Sequence, residues 1–162
     1  MEEFKTRIRE SLNASLEKAQ KVELETQMMD HLVKENEIPV PDSLVEMQLS
    51  SLLERAKDMM LRQGMKPDTD GKEAGLREKY RPQAERQVRV SYILSGIAKQ
   101  ENLAATDAEV GLELEKYKAK NPERAKDVEA YFAEHGDHVR AQMTDEKVVK
   151  FITENAKIKE TA

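Results

Sequence analysis

The segment Ile38-Pro39-Val40-Pro41 constrains this chain more than any other, because it separates two long apolar patterns of helical period. A proline inside a helix removes a backbone donor, and it biases the residue before it away from the α region. The corner therefore belongs to neither helix. Upstream, Phe4, Ile8, Leu12, Leu16, Ala19 and Val22 recur three or four residues apart, and the pattern continues through Met28 or Met29 to Leu32. That stripe predicts one amphipathic helix over residues 3–36, roughly 50 Å long at 1.5 Å per residue, which bridges parts of the molecule. Downstream, Ser43 and Glu46 have the spacing of a capping box, and Leu44, Met47, Leu49, Leu52 and Leu53 follow on a second helix.

Gly64 suits the position just past the end of that second helix, and the turn formers between Lys66 and Gly71 predict a hairpin tip. A third pattern starts near Glu73, with Pro82 expected to kink it or mark its effective start. Its section from Val88 to Ala98 is the most apolar helical stretch and the candidate core. After a break over 101–105, Thr106-Asp107-Ala108-Glu109 forms a second capping box. Asn121-Pro122 ends one helix and opens the next, which is expected to stop at Gly136 before a last helix from Asp137.

Charged residues make up 36% of the 162 and aromatics only 4%, a profile of long helices around a thin core. The fold class expected is all-α: an elongated, open multi-helix body with protruding helical arms. It reads as a single helical domain over 1–162, with an elbow at 38–41, an arm and tip at 43–72, a core helix at 73–105, and a second arm and closing helix at 106–155. The net charge of −5 argues against a dedicated nucleic-acid surface. No apolar run approaches the ~18 residues of a membrane span, and Met1-Glu2-Glu3-Phe4 is not the start of a secretory signal. Cytoplasm is the expected compartment, with no membrane partner.

No catalytic set emerges. Cysteine is absent, no serine sits in a glycine elbow, and no phosphate-binding glycine loop occurs. His135 and His138 lack a third ligand and are separated by Gly136, so no metal or other cofactor is expected. The basic run Arg77–Arg89 is interleaved by Glu78 and Glu85 and reads as a solvated face rather than a nucleic-acid contact.

Two groups of residues stand out as a binding surface. Met28, Met29, Met47, Met59, Met60 and Met65 fall in the first two helices and their tip, and methionine surfaces repack around varied partners. Tyr117, Val128, Tyr131 and Phe132 flank the Asn121-Pro122 turn, where two adjacent helices can converge their apolar faces into a groove. Pro39 and Pro41 would set the direction of the second helix.

The segments HLVKENEIPVPDSLVEMQL at 31–49 and AERQVRVSYILSGIAKQENLAATDAEV at 84–110, in this order, resemble the C-terminal domain of bacterial trigger factor. The resemblance implies an ATP-independent chaperone module that holds unfolded or nascent polypeptides through dispersed apolar patches. By position it places Tyr117, Val128, Tyr131 and Phe132 among the client contacts. The family's ribosome-docking loop and its prolyl isomerase domain have no counterpart here, so ribosome contact and enzyme activity are not expected of this chain. The alternative expectation is a helical self-assembly or adaptor scaffold with one fixed partner.

Overall fold

The structure, a computed structural model, describes residues 2–64 and 73–159. Met65 and the turn formers after it lie outside the described residues. Within them are five α-helices and no strand: α1 (Glu2–Glu35), α2 (Asp42–Arg62), α3 (Glu73–Gln100), α4 (Asp107–Lys120) and α5 (Ala125–Asn155), with a 3₁₀ turn at Pro122–Arg124. No described helix is long and apolar enough to cross a membrane. The chain divides into two compact units, Met1–Ile93 and Leu94–Ala162, and the division falls inside α3.

In the first unit, α2 and α3 bury one face against each other. Val45, Leu49, Leu52 and Leu53 come from α2, Ala84 and Val88 from α3, and Val40, Leu44, Leu76 and Tyr80 pack at the edge of this cluster. Burying each large side chain contributes about 1.5–3 kcal/mol, which is what pairs the two helices. Pro82 is exposed and does not mark the start of α3, which begins nine residues earlier.

The elbow is held differently from what its sequence predicts. α2 starts at Asp42 with Pro41 as N-cap, and no side chain caps it. The capping box expected from Ser43 and Glu46 does not form, because the Glu46 carboxylate faces α3 and accepts from Arg77 and Arg81. Arg81 also donates to Asp42 at 3.1 Å and pairs with Glu85 at 3.3 Å. Arg86 meets Asp30 of α1 at 2.6 Å, and Arg89 Nε donates to the Ile38 carbonyl at 3.2 Å. The basic run is thus a clamp on the corner rather than a solvated face. Its four arginines reach α1, α2 and the residues between them, while Lys79 is exposed.

In the second unit, Gln100 ends α3 and Asn102 takes the left-handed conformation (φ 55°) that asparagine tolerates. The Leu103 amide then reaches back to the Ala98 carbonyl at 2.9 Å, closing the helix as a Schellman-type turn. The capping box at Thr106 and Glu109 does form. Ala105 is buried and donates to Thr144 Oγ1 at 3.0 Å, which fastens this loop to α5 beside the fully buried Val148. The expected stop at Gly136 is a kink instead. His135 leaves helical geometry (φ −117°, ψ 20°), yet α5 continues to Asn155.

Candidate functional site

α4 and α5 lie antiparallel, because Lys118 pairs with Glu129 near the turn while Asp107 pairs with Arg140 at 2.5 Å at the far end. The tight Asn121-Pro122 connection dictates this arrangement. Asn121 Nδ2 donates to the Tyr117 carbonyl at 3.0 Å and closes the end of α4, and the 3₁₀ turn follows at once. Two helices joined so closely have only their facing stripes to bury, and neither stripe is long enough to bury fully. α4 has no buried residue, and α5 has only Val148.

The space left between them is a groove of about 830 Å³. Its apolar floor comes from Leu112 and Tyr117 on α4 and from Val128, Tyr131, Phe132, Val139 and Met143 on α5. Tyr117 and Phe132 meet with ring centroids 5.9 Å apart, Tyr131 and Phe132 at 6.3 Å with near edge-to-face geometry, and Tyr131 and His135 at 4.7 Å. Such ring pairs favour tilted over stacked arrangements and hold one another in place. Leu112, Tyr117 and Tyr131 remain 64%, 47% and 49% exposed, so the floor is both ordered and open to solvent.

The groove is rimmed by four acids, Glu109, Glu113, Asp127 and Glu146, and four bases, Lys116, Arg124, Lys147 and Lys150. Glu109 accepts from Lys147 at 2.9 Å, from the Thr106 amide at 2.7 Å and from the Thr106 hydroxyl at 3.0 Å. The Thr106 amide, then Lys147, then the hydroxyl lower its pKa to about 2. At the other end, hydrogen bonds to Glu129 and then Glu115 raise the Lys118 pKa, and Lys118 lowers that of Glu129. These pairs fix the spacing of α4 and α5 at both ends while leaving the floor uncovered.

Of the ten binding-surface residues singled out from sequence, Tyr117, Val128, Tyr131 and Phe132 come together in this groove. The methionines do not join them. Met47 and Met59 are exposed on α2 (64% and 61%), Met60 is half-buried there, Met28 and Met29 are half-buried near the end of α1, and Met65 is outside the described residues. Pro39 and Pro41 are exposed at the corner. Leu112, Val139 and Met143 are groove residues the sequence reading missed. The i, i+4, i+11 series Val128, Phe132, Val139 leads to Met143 at i+15 once α5 is allowed to pass Gly136, and that was the available signal. Among the described residues no group of three or more His, Cys, Asp or Glu could hold a metal ion.

The family model described as the C-terminus of bacterial trigger factor protein matches residues 1–154. The chain is 33% identical over 161 residues to the trigger factor of Syntrophotalea carbinolica, covering 98% of this chain and 37% of that protein. It is 30% identical over 168 residues to that of Halalkalibacterium halodurans, covering 97% and 38%. With the trigger factor of Geobacter sulfurreducens it shares 28% over 163 residues, covering 96% and 38%. The chain therefore spans less than two-fifths of the length of these relatives. No solved structure matches it.

Proposed function

The chain belongs to the trigger factor C-terminal family, and from that premise we propose that it is a cytoplasmic, ATP-independent chaperone module that binds unfolded or nascent polypeptides. One observation carries the reading: an ordered aromatic floor left about half exposed, in a groove framed by ion pairs rather than closed over by packing. A catalytic site would need converging reactive groups, and the groove offers apolar surface instead. No catalytic step is assigned to it. Ribosome docking and prolyl isomerisation, which the resemblance gives to other domains of the family, are not proposed for this chain.

Open apolar surface of this kind suits clients of many sequences. A contact area of one or two hundred Å² contributes a few kcal/mol at about 25 cal/mol per Å². Met47 and Met59 supply further exposed apolar surface on α2, so one unfolded chain can engage several weak patches at once and still be released quickly.

The test is binding of a chemically unfolded, aggregation-prone protein to the wild-type chain and to a Leu112→Ser/Tyr117→Ser/Tyr131→Ser variant. All three side chains are at least 47% exposed, so the substitutions leave the fold in place. The expected loss is about tenfold in affinity, equivalent to ~1.4 kcal/mol. Client-induced NMR shifts should concentrate between residues 112 and 143. Unchanged affinity, or shifts that spare those residues, would overturn the proposal.

A further inference from the structure

The floor of the α4–α5 groove is broken in the middle. On α5 the lining side chains Val128, Tyr131 and Phe132 are followed by Val139 and Met143, and none of the described residues 133–138 lines it. The helical period places position 136 on the same stripe as 132, 139 and 143, and position 136 is a glycine. A Cβ added there would meet nothing within 4 Å, so the gap is open space and not the close approach of another element. His135, the neighbouring residue, leaves helical geometry, and its ring lies 4.7 Å from that of Tyr131.

The two halves differ in chemistry. Before the gap, the rings of Tyr117 and Tyr131 both meet that of Phe132. After it, Val139 and Met143 supply aliphatic and thioether surface. Leu112 of α4 belongs to this second half. The helices are antiparallel, and Leu112 lies between Tyr117, which meets Phe132, and Asp107, which pairs with Arg140. At 1.5 Å per residue the halves are about 7.5 Å apart from Tyr117 to Leu112 and about 10.5 Å apart from Phe132 to Val139. An extended chain covers that distance in roughly two or three residues. The rim adds little selection by charge, since Lys116, Arg124, Lys147 and Lys150 are already paired with Glu113, Asp127, Glu109 and Glu154.

We infer that Gly136 divides the groove into an aromatic and an aliphatic subsite. Together they select uncharged segments of unfolded chain that carry an aromatic side chain and an aliphatic one roughly two or three residues apart. The inference rests on the polypeptide-binding function proposed above and adds the pattern that the groove reads. The segment lies extended. Leu112, Tyr117 and Tyr131 are at least 47% exposed, so the groove is open and leaves the outer side of a bound backbone to water. Apolar side chains set next to each other fill one subsite and leave the other wet. At the matching separation both fill, and the second is occupied at the high effective concentration that the first provides.

The test is NMR titration of the full chain with uncharged glycine–serine peptides holding one Phe and one Leu at increasing separations, in both orders. Affinity should peak at a separation of roughly two or three residues, about tenfold above the adjacent pair. Gly136→Leu, whose Cβ enters open space, fills the gap with apolar surface. It should flatten the dependence on separation to within about twofold while strengthening binding of a peptide with Phe alone. Tyr131→Ser should weaken the Phe-only peptide and spare a Leu-only one, and Leu112→Ser should do the reverse. Affinity indifferent to separation in the wild type, or a dependence that Gly136→Leu leaves intact, overturns the two subsites. An optimum at about five to seven residues means that a helical segment spans them, and overturns the extended pattern. An unfolded protein titrated alongside separates the two levels of the argument. If it shifts groove resonances and the peptides never do, the subsites alone are overturned; if neither shifts them, the proposed function falls as well.

Discussion

Glu109 belongs to two structures at once. As the third residue of α4 it closes the capping box with Thr106, and as a groove residue it holds Lys147 of α5. Both roles favour the ionised carboxylate, and its pKa falls from the ordinary value near 4.5 to about 2. The sign follows directly. A group whose folded pKa is depressed adds stability that is fully present above the unfolded value and is lost as pH falls through the folded one. The Glu109 contribution should therefore be complete above pH 4.5 and decline toward pH 2. Comparing acid unfolding of wild type and Glu109→Gln by circular dichroism should show the two stabilities converging as the pH falls through this window. Parallel curves would mean that Glu109 is not ionised in the way its partners imply. The cap was legible in the sequence because Thr106 and Glu109 are three residues apart. Its second role was not, since Lys147 lies 38 residues away and sequence spacing carries no information about it.

At the scale of the element, the corner between α1 and α2 shows the same division. That two helices meet there follows from Pro39 and Pro41, whose backbones can extend neither. What holds the second helix in place follows from α3. Glu46 has a capping-box spacing, but two guanidinium groups offer it charge-assisted hydrogen bonds stronger than a backbone amide can supply, and it turns to them. The local signal was sound and lost to a stronger long-range one. At Gly136 the local signal holds in part: His135, the residue before it, leaves helical geometry and kinks α5 there, and helical geometry resumes beyond it to Asn155. Two variants separate the contributions at the corner. Glu46→Gln should speed amide exchange across the first turns of α2, because Arg77 and Arg81 lose their common partner. Pro39→Ala/Pro41→Ala should preserve helicity and the arginine clamp, loosen the direction of α2, and reduce client affinity modestly. Equal exchange in wild type and Glu46→Gln would show that the clamp contributes nothing to the corner.

For the molecule as a whole, the helices could be read from the period of their apolar residues, and the all-α class with them. The placement of buried side chains was less legible. Val88, Ile93, Leu94 and Ala98 are buried as their pattern suggests, yet the core cluster that includes Val88 lies mainly on α2, with Leu49 and Val45 both 1% exposed. Apolar stripes on α1 and α2 look alike in the sequence, and only the presence of α3 opposite α2 distinguishes a core face from an open one. Leu49→Ala should therefore cost about 2–5 kcal/mol in chemical denaturation, as large-to-small changes at fully buried sites do. Leu12→Ala should cost little. A Leu49→Ala loss below 1 kcal/mol would mean that this cluster is not a core.

The rim of the α4–α5 groove, with its four acids and four bases, carries a kinetic consequence. A lopsided rim would draw oppositely charged chains from a distance, raising association toward 10⁸ M⁻¹s⁻¹ and making it fall steeply with salt. A balanced rim exerts no such pull. Encounter with the groove then proceeds near the unsteered rate of roughly 10⁵–10⁶ M⁻¹s⁻¹ whatever the charge of the arriving chain. On the function proposed, polypeptides that enter would be sorted by residence time, according to how much aromatic and aliphatic surface they bury on Tyr117, Tyr131 and Leu112 before they diffuse away.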